Sequence, residues 1–176
     1  MRKIQANIVE YVVENSPDLV VLPMSSYRKR DGSIPMGAGA LRLIAERIYE
    51  APNILGAAIT SPTAFVTNVV QLRGVRVCGW VIQPEMGFKD DVYGHLQERF
   101  ADANADPDTD MPDVPGWACK PSRWRIERGL SELVQLSRGM THVAITYPNL
   151  GDVMTPNEFN DIIAELDDRF VFIRRN

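Results

Sequence analysis

An α/β protein built as a three-layer α/β/α sandwich is predicted by three observations. Residues 18–24 (DLVVLPM) form a continuous apolar run between turn formers, as suits a strand buried on both faces of a sheet. A polar, glycine-bearing stretch then leads into residues 41–50 (LRLIAERIYE), where Leu41, Ile44, Ala45 and Ile48 share one helical face. Toward the C terminus the strand-and-helix unit recurs, and such alternation argues for helices packed on a sheet.

Taken in order, residues 3–9 alternate weakly and read as a first strand, and the 18–24 run is the second. Between that run and the following helix lies SSYRKRDGSIPMGAGA. Glycines there let the backbone approach a ligand, and the first turn of the helix offers free amides at the positive end of its dipole. Residues 75–83 (VRVCGWVIQ) carry the β-branched and aromatic residues of a further strand.

Residues 84–118 break the pattern. A short helical piece near 93–100 leads into the acidic, proline-punctuated ADANADPDTDMPDVP, and the segment reads as an insertion over one rim of the sheet. Order returns at Trp124, with Ile126, Leu130, Leu133, Val134 and Leu136 on one helical face, followed by the strand HVAITYP. Thr155, Pro156 and Glu158 form a helix start ahead of Ile162, Ile163 and Leu166, and FVFIR is the last strand.

A chain of 176 residues with 45% hydrophobic and 24% charged residues has enough apolar material for one domain without metal or disulfide staples. Its net charge of -4 argues against broad non-specific binding to nucleic acid. Cys78 and Cys119 form no CxxC pair and have no histidine at metal-ligand spacing, so buried free thiols are expected and no metal or cofactor is implied. No apolar run approaches the roughly 20 residues a membrane span needs, and a cytoplasmic protein without membrane contact is expected.

Several segments carry a family resemblance: DLVVLPMSS, DGSIPMGAGALRLIAER, KPSRWR with the helix after it, HVAITYPNLG and LDDRFVFI. In this order and spacing they resemble the macro-domain proteins common in phages and bacteria, which bind ADP-ribose and some of which hydrolyse ADP-ribosyl bonds. The resemblance spans the chain except 84–118 and implies a macro-domain sandwich, three-layer α/β/α with a mixed central sheet, as one domain over 1–176. It also implies that Gly37, Ala38 and Gly39 face the distal ribose and pyrophosphate, with Asn149 and Gly151 in a second phosphate loop.

KPSRWR is similar to a segment of the branch that includes DNA ADP-ribosylglycohydrolases, and the resemblance implies a chemical role for Lys120. A lysine attacks an anomeric carbon only when neutral, which calls for burial or neighbouring cations such as Arg123 and Arg125. The alternative is a solvated Lys120, with Trp124 as a core anchor at the helix start.

Three positions depart from the family pattern. Asn7 stands where many members place the aspartate that accepts from the adenine amino group, and an amide both accepts and donates. Ser25 or Ser26 stands in place of an amide that orients the distal ribose. The second loop, residues 147–153, has a single glycine and sets Asp152 where an anion would approach, which repels unless the carboxylate turns away or carries a cation.

His95 and His142 have no nucleophile partner and read as a loop residue and a helix-to-strand residue. Asp102, Asp106, Asp108, Asp110 and Asp113 lack the glycine and terminal glutamate of a calcium loop and read as a solvated arm. Three functions follow as expectations: binding of ADP-ribose or a related nucleotide without turnover, hydrolysis of an ADP-ribosyl bond through Lys120, or protein assembly through the 102–114 loop.

Overall fold

The computed structural model describes residues 1–108 and 111–175. A six-stranded mixed sheet forms its centre, and the three-layer α/β/α arrangement expected from the sequence is present. The strands, in chain order, are β1 (Arg2–Gln5), β2 (Leu19–Ser25), β3 (Val70–Leu72), β4 (Val75–Gln83), β7 (Val143–Thr146) and β8 (Phe170–Arg174). They lie side by side as β1-β8-β7-β2-β4-β3, all parallel except β3. A separate two-stranded ribbon joins β5 (Met86–Gly87) to β6 (Val114–Pro115).

Alternation along β2 shows why the sheet is covered twice. Val20, Leu22 and Met24 pack with Ile8 and Tyr11 of α1 (Ile8–Asn15), Ile44 of α2 (Gly39–Arg47) and Leu55 of α3 (Ala51–Ala57). Leu19 and Val21 face the other way, onto Ile126, Leu130 and Leu133 of α4 (Arg123–Leu136) and Phe159 and Ile163 of α5 (Pro156–Ala164). Successive strand residues point to opposite faces, so an uninterrupted apolar strand needs helices on both.

Local signals explain some of the ends. Thr155 caps α5 by accepting from the Glu158 amide, while the Glu158 carboxylate accepts from the Thr155 amide at 2.8 Å. The β3–β4 hairpin turns through Arg73 and Gly74, both at positive φ, which matches the right-handed strand twist.

Three expectations need correction, and one helix is new. The first strand ends at Gln5 rather than Val9, because the Asn7 side chain accepts from the Val9 amide at 2.9 Å and starts α1. Residues 51–57, not assigned from sequence, form α3. Leu136 is exposed at the end of α4 instead of joining its buried face. Trp124 is no core anchor: it is 63% exposed and meets Phe65 in an edge-to-face contact at 4.7 Å between ring centres.

At the amino ends of β2 and β7, Asp18 accepts from the Thr141 and His142 amides at 2.8 and 3.0 Å. Beside it the Tyr11 hydroxyl and His142 Nε2 are 2.8 Å apart. Burial first, and the Arg2 charge second, push the His142 pKa below its ordinary value, against the opposing pull of Asp18. The unfolded chain therefore takes up this proton more readily than the native one. Stability from this site is complete above about pH 6.5 and is lost as pH falls below that toward the depressed native value. Urea midpoints measured from pH 7.5 to 5.5 are expected to decline, and His142→Gln is expected to flatten that decline.

Candidate functional site

A cavity of about 610 Å³ opens at the carboxyl ends of β2, β4 and β7. From β2 the chain passes to β3 and β4 on one side, then returns past β2 to β7 on the other. Such a reversal leaves a crevice outside the strand ends, the usual ligand position in open α/β sheets. The volume lies within the range of small-molecule sites.

One wall is the loop before α2. Asp31 accepts from the Ser33 amide and hydroxyl at 3.0 and 2.6 Å, and the Ile34 amide donates to the Pro52 carbonyl at 3.1 Å. These bonds anchor the loop on α3 and bring Gly37, Ala38, Gly39, Ala40 and Leu41 to the cavity. Gly39 has φ +58°, a left-handed value that favours glycine. Ala38 caps α2 without a side-chain bond, and the first intrahelical bond is donated by Arg42. The amides of Gly39, Ala40 and Leu41 thus precede the helical ladder, at the positive end of the helix dipole.

The opposite wall comes from the insertion, which is built around Val92, Val114, Ala118 and Cys119. Val92 bridges Cys119, and the Tyr93 amide donates to the Ala118 carbonyl at 3.1 Å. From this body Tyr93, His95, Leu96 and Trp117 reach the cavity, so His95, expected to be a loop residue, lies on a 3-10 helix (Gly94–Phe100) and lines the cavity. Burial first, then the neighbouring Cys119, raises the Tyr93 phenol to about 12, and the phenol donates to the Asn149 carbonyl at 3.3 Å.

Of the residues expected to bind ligand, Ser25, Gly37, Ala38, Gly39 and Asn149 line the cavity. Ser25 is already committed, since its hydroxyl donates to the Pro84 carbonyl at 2.6 Å and accepts from the Tyr27 amide at 3.0 Å. Asn7, Ser26, Gly151 and Lys120 are not among the lining residues. Asn7 caps α1, and the Ser26 hydroxyl donates to the Pro62 carbonyl at 3.1 Å. Gly151 lies against the Tyr93 ring, where a Cβ would stand 3.1 Å from a ring carbon, and its amide is bonded to the Asn149 side chain at 3.2 Å.

Lys120 Nζ lies 3.1 Å from Asp152 Oδ2, and that hydrogen bond is the main reason the Asp152 carboxyl is held below its usual range. The arginines suggested as its neighbours are engaged elsewhere. Arg123 pairs with Glu127 and Glu158, while Arg125 lies 5.7 Å from the centre of the Phe65 ring and donates to the Ala64 carbonyl.

Cys78 and Cys119 are buried free thiols, both pushed up to about 12 chiefly by burial. In the acidic arm, Asp106 accepts from the Asp108 amide and Asp113 from the Asn104 amide, so these carboxylates close turns of the loop itself. Asp110 lies outside the described residues. No helix among the described residues is long and apolar enough to cross a membrane. The motif 166–170 lies at the amino end of β8, away from the cavity, where Asp168 pairs with the chain's amino terminus at 2.8 Å and Arg169 donates to the Ser137 carbonyl at 3.1 Å.

No family model matches the chain, and no curated protein matches it. Its structure is similar to the crystal structure of a Bacteroides thetaiotaomicron protein, with a TM-score of 0.58 and 13% identity over 100% of this chain and 99% of that one. At this identity the similarity concerns the fold alone.

Proposed function

We propose that the chain binds ADP-ribose or a related nucleotide in the cavity, as a macro-type domain, without turning it over. The observation that carries this reading is the uncapped amino end of α2 opening onto a ligand-sized crevice at the carboxyl ends of β2, β4 and β7. Backbone amides and the helix dipole suit a phosphate there. No Lys, Arg, Asp or Glu is among the described residues lining the cavity, so the charge of a phosphate group would be met there by the main chain. The resemblance of residues 31–40 to the phosphate-facing loop of macro domains supports the same assignment. Asp152, which would repel an anion, has its charge answered by Lys120.

Binding is favoured over hydrolysis because Lys120 is spent on that ion pair. A lysine holding a carboxylate with its ammonium has no free lone pair for an anomeric carbon.

The test is a calorimetric and thermal-shift titration with ADP-ribose, NAD, AMP and a guanine nucleotide. A bound ligand at about a hundred times its dissociation constant is expected to stabilise the fold by about 2.7 kcal/mol. Lys120→Ala leaves the Asp152 charge unanswered and is expected to weaken affinity by about two- to fivefold, and adding Asp152→Asn is expected to restore the wild-type value. Steady product release that disappears in Lys120→Ala would instead establish the hydrolase. No shift with any ligand would overturn the binding reading and turn attention to assembly through the 102–114 loop.

A further inference from the structure

We propose that Tyr93, His95 and Trp117 form a stacking subsite for the planar base of a nucleotide whose phosphate rests on the amino end of α2. This rests on the reading of the cavity as a nucleotide site, and it adds which end of the ligand goes where and which side chains select it.

The insertion contributes three rings to a cavity whose facing wall is glycine backbone and free helix amides. A nucleotide has the same two ends, a flat π-face and an anion. Aromatic rings bind bases of any sequence because every base presents such a face.

These rings are held before any ligand arrives. Tyr93 and His95 lie 5.7 Å apart between centres with their planes 32° from parallel. Trp117 packs edge-on against Phe100 at 6.1 Å, with the Arg99 guanidinium 5.3 Å above its ring. The Tyr93 bonds to Ala118 and Asn149 tie the wall to the insertion on one side and to the loop after β7 on the other. A ring already fixed by its neighbours loses little freedom on binding.

The remaining polar groups fit a neutral heterocycle. Gln83 donates its amide nitrogen to the Cys119 carbonyl, which orients its side-chain oxygen as an acceptor for a ring N–H or exocyclic amine. Asn7, the position tied by resemblance to adenine, is not a lining residue and its side-chain oxygen is bonded to Val9. Selection of the base therefore falls to the insertion and to Gln83 at the end of β4.

The experiment compares AMP, GMP and TMP with ribose 5-phosphate, which keeps the sugar and phosphate and lacks the base. Wild type is expected to bind the nucleotides at least about tenfold more tightly than ribose 5-phosphate, the scale of one base–aromatic stack. Trp117→Leu and His95→Ala are expected to shrink that ratio severalfold while ribose 5-phosphate affinity stays within about twofold. Nucleotides are also expected to quench tryptophan emission in wild type and not in Trp117→Phe, which keeps a ring and so keeps the ratio. His95 is exposed, so its variant remains informative even where Trp117→Leu disturbs the insertion. An unchanged ratio in both ring-removing variants, with nucleotide binding intact, overturns the stacking subsite alone. Failure of every ligand to bind wild type overturns the subsite and the nucleotide reading together.

Discussion

Gly116→Ala is expected to lower the thermal midpoint by several degrees and to weaken nucleotide binding at least about tenfold. A Cβ at this position would stand 1.6 Å from the Pro84 carbonyl oxygen and 2.5 Å from Ser25 Oγ. Neither neighbour has room to retreat, because the Ser25 hydroxyl is itself bonded to that carbonyl and the Gly116 amide donates to the Glu85 carbonyl at 2.8 Å. The added methyl must therefore lift the 3-10 helix Gly116–Ala118 from the end of β2, and Trp117 moves with it. Forced repacking of this kind costs about 1–3 kcal/mol, or roughly 3–10 °C for a domain of this size. The loss of affinity exceeds what stability alone explains, since the displaced residue is part of the cavity wall. Gly94→Ala, with nothing within 4 Å of the new methyl, is the control and is expected to leave both quantities unchanged. Circular dichroism melts with an ADP-ribose titration check both halves, and a Gly116→Ala protein of wild-type affinity would show that Trp117 is not fixed by this contact.

The same contact shows why part of the site is hidden in the sequence. The strands β2, β4, β7 and β8 and the helices α4 and α5 are legible because long apolar runs and helical spacing leave few alternatives. The glycine loop is legible too, since glycine before a helix has a local meaning. β1 misleads because a four-residue edge strand carries little alternation, and the cap at Asn7 comes before a β-branched stretch that also suits a strand. α3 contains Pro52 and Gly56, which read as breakers, whereas Pro52 falls in its first turn, where no amide is needed. Tyr93, His95 and Trp117 escape because their role depends on how the insertion folds back over the sheet. The available signal is the placing of aromatic residues on both flanks of the acidic stretch, close to where the insertion leaves and rejoins the sheet.

Phe159→Ala is expected to be the most destabilising of these changes, about 3–5 kcal/mol by the usual cost of deleting a buried aromatic ring. Phe159 is fully buried on α5 and meets three other rings: Trp80 at 6.3 Å, Tyr147 at 5.0 Å and Phe172 at 5.8 Å. It thus joins β4, the loop after β7, and β8 to one helix, and a cavity there loses contacts to all of them. Tyr147 lines the ligand cavity, so its edge-to-face contact with Phe159 makes the core a support of the site. The Arg174 guanidinium, 5.3 Å from the Tyr147 ring centre, holds that ring from a second direction. Urea unfolding of Phe159→Ala and Phe159→Leu measures the first effect, with leucine expected to recover part of the loss. Nucleotide titration well below the unfolding midpoint measures the second. Weakened affinity in Phe159→Ala would place the positioning of Tyr147 in the core. Full affinity in a destabilised protein would place it with Arg174, and the cavity wall and the α5 core would then be energetically separate.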